Sequence, residues 1–532
     1  MSTAPLTIPG QFADRVDHHE ARPMLLYGGD TLTFGDIHRA SVSLARWLLD
    51  QGLQQGDRVL IVLENSPELV ISWLGVATAG GVSVPTNPGY TAREIETLVE
   101  TASPSLAICS VELRHRLPAD LPCVCVGDGR TDGRVHASFA EAVSASGRRG
   151  LPTVDAEDPA SFVFTSGTSG APKAVVHTHQ SYVLTGQAFP SWLGLSDRDV
   201  LYTCLPLFHI NAQAYSLMTS VCGGTTLALG RRFRARTFWR EIRATGATQF
   251  NAIGAMLMIL LHRQEAPAPG PRVCYSAPAF DPELHRSIED RFSLKLLSGY
   301  ALSECPFGTI TPLTGDPGLG SIGRPRFDPE MRFVNRLRLI GKDRGEVPAG
   351  APGEIALSNP VIMKEYWADP IATDAALRDG WLYTGDVGRR DGSFLYFVGR
   401  ETEMLRRRGE NVSPVEVEAC LQGHPHVAEC AVFGVPSKLS EQEIAVAVVP
   451  AVKRFDAFEL FAWTSERLAP YKIPRFLALV RELPKGPTEK VVREQLAQAW
   501  IDGELRTIDR EAARRAHPSR SGHETVKRTR RR

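Results

Sequence analysis

The sequence predicts an α/β fold: a large N-terminal domain of doubly covered, mostly parallel sheets, then a small mobile α+β domain and a polar tail. Three observations support this prediction. The 532 residues suffice for two or more domains. Strand and helix patterns alternate from about Phe12 to Val126, which is typical of a parallel sheet with helices on both faces. A second, shorter set of patterns follows Arg400. We therefore divide the chain into residues 1–400, residues 401–503 and a basic tail, 504–532, expected to be disordered.

Composition and charge exclude several classes of protein. The chain carries 60 basic and 60 acidic residues, so no net field attracts it to nucleic acid. The N-terminus has no basic segment followed by an apolar one, and the longest apolar run, Ala252–Leu261, is too short to cross a bilayer. The nine cysteines include no C-x-x-C pair, and Cys123 and Cys125 are expected to share one strand face in the core. These features predict a cytoplasmic protein and are compatible with a homodimer.

Local signals place the first elements. Arg58–Leu63 is an apolar run of strand length. Ser66 is a good helix cap with proline directly after it, which predicts a helix over Pro67–Ala79. The glycines at 80 and 81 would end that helix, and Val82–Pro85 returns to a strand pattern.

A small, hydroxylated and glycine-rich segment, Thr165–Lys173, lies between two apolar strand-like runs. Its glycines allow backbone N–H groups to turn toward an anion, and its hydroxyls and the lysine ammonium add donors. We interpret it as a polyphosphate cradle made of Thr165, Ser166, Gly167, Thr168, Ser169, Gly170 and Lys173. A mobile Ser/Gly surface loop is the alternative, although such loops rarely lie tightly between strands. The P-loop motif is excluded because Lys173 follows Gly170 by three residues and is itself followed by alanine.

This segment resembles the phosphate loop of the acyl-adenylate-forming superfamily, which includes acyl-CoA synthetases, peptide-synthetase adenylation domains and luciferases. Ser298–Glu304, Trp381–Asp386 and Leu483–Lys490 are similar to further motifs of the family, in its order. The resemblance therefore extends from roughly the first strand to Lys490. Cys204–Trp239 is similar to the branch of crotonobetaine/carnitine-CoA ligases and medium- to long-chain acyl-CoA synthetases.

The resemblance implies a site for Mg-ATP. The cradle would hold the β- and γ-phosphates. Tyr300 would offer a flat apolar face to adenine, Ser303 a hydroxyl to phosphate, and Glu304 a carboxylate to magnesium. Asp386, at a tight turn, would accept the ribose hydroxyls, and Arg400 would meet the ribose or the α-phosphate. Taken alone, the segments around Glu304 and Asp386 are equally compatible with structural turns.

The resemblance also implies an acyl pocket. His209 stands at the position that gates the substrate carboxylate, and we predict a pocket residue rather than a general base; a structural core histidine is the alternative. Ala277 falls at the adenine-binding turn of relatives, without its glycines. Ala301 replaces a usual glycine, so its methyl group would narrow the pocket mouth. The helix-compatible runs Ala212–Leu217 and Asn251–Leu261 are expected in the core, with part of each lining the acyl channel.

Beyond Arg400 the chain resembles the mobile lid domain of the family. A helix is expected at Val415–Leu421, with strands at Ala428–Val435 and Ile444–Pro450. The resemblance places the interdomain hinge at Glu403, where Asp or Lys is usual. It also places Gly409 and Glu410 in a turn typical of CoA ligases, near the pantetheine tunnel. From composition alone, the three arginines at 406–408 would be a solvated charge run.

The same resemblance assigns the catalytic lysine to Lys490, because a threonine stands two residues before it and a valine follows it. Relatives usually have glycine where Glu489 stands. Lys485 is the competing lysine in the same Pro/Gly-rich loop, and an ordinary surface lysine is the third possibility.

Together the motifs imply an ATP-dependent acyl-CoA ligase with ATP, Mg²⁺ and coenzyme A as cofactors. A small carboxylic acid would form an acyl-adenylate, and CoA would then take the acyl group. Positioning and electrostatic stabilisation suffice, without a protein nucleophile. Three alternatives stay open: transfer to a carrier protein, a luciferase-like oxygenase, and a non-catalytic nucleotide or acyl binder. The acid is also open, whether fatty, carnitine-like, aryl or terpenoid.

Overall fold

The computed structural model describes residues 6–127, 137–147, 149–165, 172–263, 266–267, 269–277, 279–328, 333–400, 403–407, 410–437, 442–486 and 490–511. The chain separates into two compact units, Met1–Phe397 and Val398–Arg532. Among the described residues, no helix combines the length and apolar character needed to cross a membrane.

The helices of the larger unit are α1 (Ile8–His19), α2 (Phe34–Asp50), α3 (Pro67–Thr78), α4 (Ala92–Ala102), α5 (Phe139–Ser144), α6 (His179–Leu193), α7 (Met218–Gly223), α8 (Phe238–Thr245), α9 (Gly254–Leu261), α10 (Pro282–Phe292) and α11 (Pro370–Ala376). A 3₁₀ helix covers Val111–Arg116 and a π-helix covers Asn211–Leu217.

Its strands are β1 (Pro23–Tyr27), β2 (Asp30–Thr33), β3 (Arg58–Val62), β4 (Val82–Pro85), β5 (Leu106–Ser110), β6 (Cys123–Val126), β7 (Ala137–Ser138), β8 (Pro159–Thr165), β9 (Lys173–Thr178), β10 (Val200–Thr203), β11 (Thr226–Leu229), β12 (Gln249–Ile253), β13 (Val273–Ala277), β14 (Lys295–Tyr300), β15 (Thr309–Ile310), β16 (Phe327–Asp328), β17 (Phe333–Val334), β18 (Arg336–Ile340), β19 (Pro352–Ser358), β20 (Glu365–Tyr366), β21 (Leu377–Arg378), β22 (Trp381–Asp391) and β23 (Phe394–Arg400), which crosses the unit boundary.

Two eight-stranded sheets dominate the larger unit, in the orders β15-β14-β13-β12-β10-β11-β1-β2 and β20-β9-β8-β4-β3-β5-β6-β7. Their central pairs are parallel, while β2, β15, β9 and β20 pair antiparallel. Successive residues of β3 belong to two different buried clusters, so that strand is buried on both faces. A mixed α/β fold with mostly parallel central sheets is thus confirmed.

Local signals succeeded where a cap or a turn fixes the chain. Helix α3 begins at Pro67, and the Ser66 hydroxyl accepts a hydrogen bond from the Leu69 N–H at 3.3 Å. Strand β4 spans Val82–Pro85 as predicted. By contrast, the apolar run from Asn251 to Leu261 is not one helix, because its first three residues complete strand β12 and only Gly254 begins α9.

The smaller unit is α+β. It contains β24 (Leu405–Arg407), β25 (Glu410–Val412), α12 (Pro414–Gln422), β26 (Val427–Pro436), β27 (Gln442–Pro450), α13 (Ala457–Arg467), β28 (Phe476–Leu479), α14 (Arg493–Ile501) and β29 (Thr507–Asp509). The sheet β26-β27-β28-β29 is covered on both faces: Val432 and Val446 pack in one buried cluster, and Ala431 and Ala445 in another. Strand β29 pairs with β28, so Thr507–Asp509, at the start of the predicted tail 504–532, belongs to this sheet.

Of the three arginines at 406–408, Arg407 is buried and is therefore not part of a solvated charge run. Arg407 is 2% exposed, and its guanidinium lies 2.7 Å from the carboxylate of Glu443. The same side chain donates to the carbonyl oxygens of Tyr471 and Ile473, both at 2.9 Å. A buried charge needs both a counter-ion and hydrogen bonds, and strand β27 supplies the counter-ion here.

Candidate active site

The described part of the phosphate segment lies where the two strands of a β-hairpin, β8 and β9, meet their connecting segment. Thr165 ends β8 and Lys173 begins β9, and the two residues are directly opposed in antiparallel register. The other predicted members of the cradle, Ser166 through Gly170, lie outside the described residues. Lys173 is exposed.

A chain of contacts joins Lys173 to Glu304. The Lys173 ammonium lies 4.8 Å from the ring centroid of Tyr366, within the range of a cation–π interaction. The hydroxyl of Tyr366 donates a hydrogen bond to Oε1 of Glu304 at 2.8 Å. Tyr366 belongs to β20, which pairs with β9 beside the hairpin. One aromatic side chain therefore brings the predicted phosphate and magnesium residues together.

The loop that carries Ser303 and Glu304 is fixed by its backbone. The carbonyl of Glu304 accepts from the Met363 N–H at 2.8 Å, and reciprocal bonds link the main chains of Leu302 and Cys305. His177, on β9, lies with Nε2 only 2.6 Å from the carbonyl oxygen of Ser303. Since a carbonyl only accepts, the Nε2 atom carries the proton and donates. Strand β9 thus anchors this loop as well as Lys173.

Tyr300 and Asp386 form a second pair in the same unit. The tyrosine hydroxyl donates to Oδ2 of Asp386 at 2.7 Å, and both residues are buried. Gly385 turns the chain with φ +70°, and its N–H donates to the carboxylate of Glu354 at 2.9 Å. That left-handed turn favours glycine and fixes the direction of the Asp386 side chain.

The three predicted pocket residues are all partly buried. Ala277 ends β13 and Ala301 follows β14; because these strands are parallel neighbours, both alanines lie at the same sheet edge. The His209 ring centroid lies 4.5 Å from that of Phe208, and His209 stands two residues before the start of the π-helix Asn211–Leu217. Ala212–Leu217 was expected to be helix-compatible, and the i→i+5 form is of a kind often found at functional sites.

In the smaller unit, the two candidate lysines have different surroundings. Lys485 forms an ion pair with Glu429 at 2.8 Å, whereas Lys490 is exposed and has no ion pair with any described residue.

The remaining predicted residues lie between Arg400 and Glu410. Glu403 lies 3.2 Å from the guanidinium of Arg493. Arg400 ends β23, and Glu410 begins β25. Gly409 falls outside the described residues.

Sequence reasoning missed Tyr366 and His177. Both act on the Ser303–Glu304 loop from more than 60 residues away, at separations of 62 and 126 residues. The local pattern around each is that of an ordinary strand. Only the pairing of β9 with its neighbours brings them to the loop.

Burial lowers the pKa of His177 to about 4 and that of His179, its near neighbour on α6, also to about 4. Both imidazoles are thus neutral in the folded protein at neutral pH, whereas in the unfolded chain they titrate near pH 6.5. As pH falls from 6.5 toward 4, both imidazoles become protonated in the unfolded chain but stay largely neutral in the folded protein. The free energy of unfolding should then fall by about 2 kcal/mol per histidine by pH 5.

We expect His177→Asn to remove the contribution of His177 to this pH dependence of the free energy of unfolding, measured by urea unfolding at pH 7 and pH 5. The control is His18→Asn, which alters an exposed imidazole. Equal pH slopes in the two variants would contradict the assignment.

The parallel-rich sheets of the larger unit and the separate α+β unit define the fold class of the protein. Residues 12–367 match the model of the AMP-binding enzyme family, and residues 416–490 match the model of its C-terminal domain. The chain belongs to the AMP-binding enzyme family. The class and family predicted from the sequence are confirmed.

The sequence is similar to crotonobetaine/carnitine–CoA ligases of Salmonella. It is 30% identical to that of Salmonella choleraesuis (strain SC-B67) over 469 residues, 84% of this chain and 89% of the relative. The protein of Salmonella enteritidis PT4 (strain P125109) is 31% identical with the same coverage. Among solved structures, the o-succinylbenzoate CoA synthetase of Bacillus subtilis with AMP has a TM-score of 0.79 and 26% identity, covering 91% of this chain and 97% of that one. An anthranilate CoA ligase with anthranoyl-AMP has a TM-score of 0.86 at 24% identity, covering 95% and 99%.

Proposed function

We propose that this protein activates a carboxylic acid with ATP and transfers the acyl group to coenzyme A. In the first step the carboxylate oxygen attacks the α-phosphorus, and pyrophosphate leaves. In the second step the CoA thiolate attacks the carbonyl carbon of the acyl-adenylate, and AMP leaves. The observation that carries the proposal is the contact chain from Lys173 through Tyr366 to Glu304, within a chain that matches the family in both domains.

The residues present fit magnesium and nucleotide. Glu304 is half-buried, and its Oε1 is held by Tyr366 while no described residue hydrogen-bonds Oε2, so one carboxylate oxygen can meet a cation. Bound there, magnesium would neutralise phosphate charge. Lys173 and the hydroxyl groups of Thr165 and Ser303 bind phosphate, Tyr300 packs on adenine, and Asp386 accepts from the ribose. Arg400 supports the ribose or the α-phosphate.

Each remaining role is also part of the proposal. Lys490 supplies a positive charge to the first step, and Glu403 is the pivot about which the smaller unit changes position before the second step. Gly409 and Glu410 contribute to the path of CoA. A change of position between two steps with different chemistry would expose the adenylate to the thiol only after pyrophosphate has left.

The test is pyrophosphate release over a panel of short, branched, fatty, carnitine-like and aryl acids, with and without CoA. We expect release that requires the acid, with sustained turnover only when CoA is present, because an adenylate retained at the site blocks further cycles. Adenylate formation without any thioester to CoA would instead indicate a carrier protein as acceptor. No acid-dependent release with any panel member would contradict the proposal.

Ala301 is proposed to limit substrate width. Its methyl group lies at the end of β14 where a glycine would leave more room. We expect Ala301→Gly to shift the ratio of kcat/KM between a broad and a narrow acid by roughly 10- to 200-fold, the range for one methylene in an apolar pocket. The measurement is the ratio for each pair of acids, which cancels any general loss of activity. Unchanged ratios across the panel would show that Ala301 does not face the substrate.

We also propose that the protein is located in the cytoplasm and that it forms a homodimer. All nine cysteines are free thiols and eight are buried, which fits a reducing compartment such as the cytoplasm. A homodimer stays a prediction, and sedimentation equilibrium at several protein concentrations tests it.

A further inference from the structure

Three thiols converge in the sheet that contains β5 and β6, apart from the residues assigned above. Cys109 lies on β5, and Cys123 and Cys125 lie on β6, with Cys109 opposite Cys125 in parallel register. The sulfur atom of Cys109 is 3.1 Å from that of Cys123 and 3.8 Å from that of Cys125, and the latter two sulfurs are 3.8 Å apart. The prediction that Cys123 and Cys125 share a buried strand face is confirmed.

The distances between the three sulfur atoms are close to those expected in a metal site. A tetrahedral zinc ion with Zn–S distances of about 2.3 Å separates its sulfur ligands by about 3.8 Å. Two of the three distances equal this value, and the third must open by less than 1 Å. The three sulfurs therefore suit three of the four corners of a zinc coordination tetrahedron.

The charge of the surroundings also suits a divalent ion. Three thiolates and Zn²⁺ carry a net charge of −1. Arg114, which is 5% exposed, lies on the 3₁₀ helix Val111–Arg116 that packs against β5 and β6, and its guanidinium supplies the opposite charge. Its Nη atoms donate to the carbonyl oxygens of residues 117, 118, 119 and 121, but its buried Nε has no hydrogen-bond partner among the described residues. Three thiolates, a zinc ion and the Arg114 guanidinium together carry almost no net charge, which reduces the cost of burying them.

We propose that Cys109, Cys123 and Cys125 form a binding site for a thiophilic divalent cation of the zinc type, which cross-links β5 and β6. Binding replaces the thiol protons, which pass to the buffer, with three metal–sulfur bonds. The fourth ligand comes from outside these three residues. The site has no part in the acyl-transfer steps, so it stands or falls independently of the proposed function.

The experiment uses the full-length protein, reduced and freed of metal with a chelator. One sample is titrated with Zn²⁺, and a separate metal-free sample is titrated with Co²⁺ as the optical probe. We expect one ion per chain, a sulfur-to-cobalt charge-transfer band and a rise in Tm with Zn²⁺. Cys123→Ala should abolish the band and weaken Zn²⁺ binding by at least the 10- to 100-fold that even an outer-shell change costs. Cys125→Ala is the second variant, used if Cys123→Ala lowers the Tm of the metal-free protein. Cys222→Ala, which removes a buried thiol from α7, should change neither binding nor spectrum.

A second group of metal-ligating side chains requires its own control. His424, His426 and Glu459 lie together on the smaller unit. Nδ1 of His424 accepts from the His426 N–H at 3.2 Å, so in the neutral ring the proton is on Nε2 and that nitrogen is not free to coordinate. If His426→Ala removes the zinc site while Cys123→Ala retains it, the proposal is wrong. It is equally wrong if bound Co²⁺ shows no charge-transfer band, or if the reduced protein binds no zinc.

Discussion

Replacement of Glu304 by glutamine should lower the rate of acid-dependent pyrophosphate release by about a hundred- to a thousandfold, the cost of removing one preorganised charge-stabilising group. Glutamine has nearly the same shape, and its amide oxygen can still accept from the hydroxyl of Tyr366. The fold around Ser303 and Met363 depends on backbone carbonyl groups that the substitution keeps. The loss should therefore come from the missing charge, and it should be accompanied by a weaker dependence on magnesium.

The measurement is the rate of pyrophosphate release against Mg²⁺ concentration, together with a melting curve for each variant. Tyr366→Phe is the matched variant, since it removes only the hydroxyl that holds Oε1. It should raise the Mg²⁺ concentration needed for half-maximal rate while retaining most of the maximal rate, because the carboxylate remains but is less well oriented. If Glu304→Gln turns over at the wild-type rate when magnesium is limiting, Glu304 is not the magnesium residue.

The sequence predicted those features that a few adjacent residues determine. Ser66 and Pro67 begin helix α3 because a cap and a proline act within one turn. Thr165 ends one strand of a hairpin and Lys173 begins the other, because the glycine-rich segment lies between two strand patterns. Asp386 follows a glycine with positive φ, which the Gly-Asp dipeptide itself suggested.

Features created by chain pairing could not be predicted in this way. Arg407 is buried because Glu443, on another strand, and two carbonyl groups satisfy its charge. The run from Asn251 to Leu261 changes from strand to helix at Gly254, and a short apolar run has no period that separates the two. Tyr366 and His177 reach the Glu304 loop only because β20 and β9 are neighbours in one sheet. The resemblance to the family predicted the roles of single residues, whereas the residues that hold them in place become visible only from the pairing of the strands.

The two lysines of the last loop provide the sharpest test of the two-step reaction. Hydrogen bonds from the Gly486 N–H to the Lys490 carbonyl and from the Val492 N–H to the Pro484 carbonyl join the two described ends of this loop. Lys485 is engaged with Glu429, and a pair as exposed as this one contributes at most about 1 kcal/mol to stability. Lys490 is exposed and has no such partner among the described residues, so its ammonium is available to a substrate.

We expect Lys490→Ala to slow acyl-adenylate formation by about a hundred- to a thousandfold, because its charge would stabilise the approach of a carboxylate to a polyphosphate. The second step starts from an adenylate whose phosphoryl bond is already made. Thioester formation from synthetic acyl-adenylate and CoA should therefore keep its wild-type rate in this variant.

Both rates and the Tm are measured for Lys490→Ala and for the matched Lys485→Ala, which should leave both rates nearly unchanged. A lysine with only a structural role would lower both rates together with the Tm. Selective loss of the first step in Lys485→Ala, with Lys490→Ala unaffected, would transfer the catalytic role to Lys485.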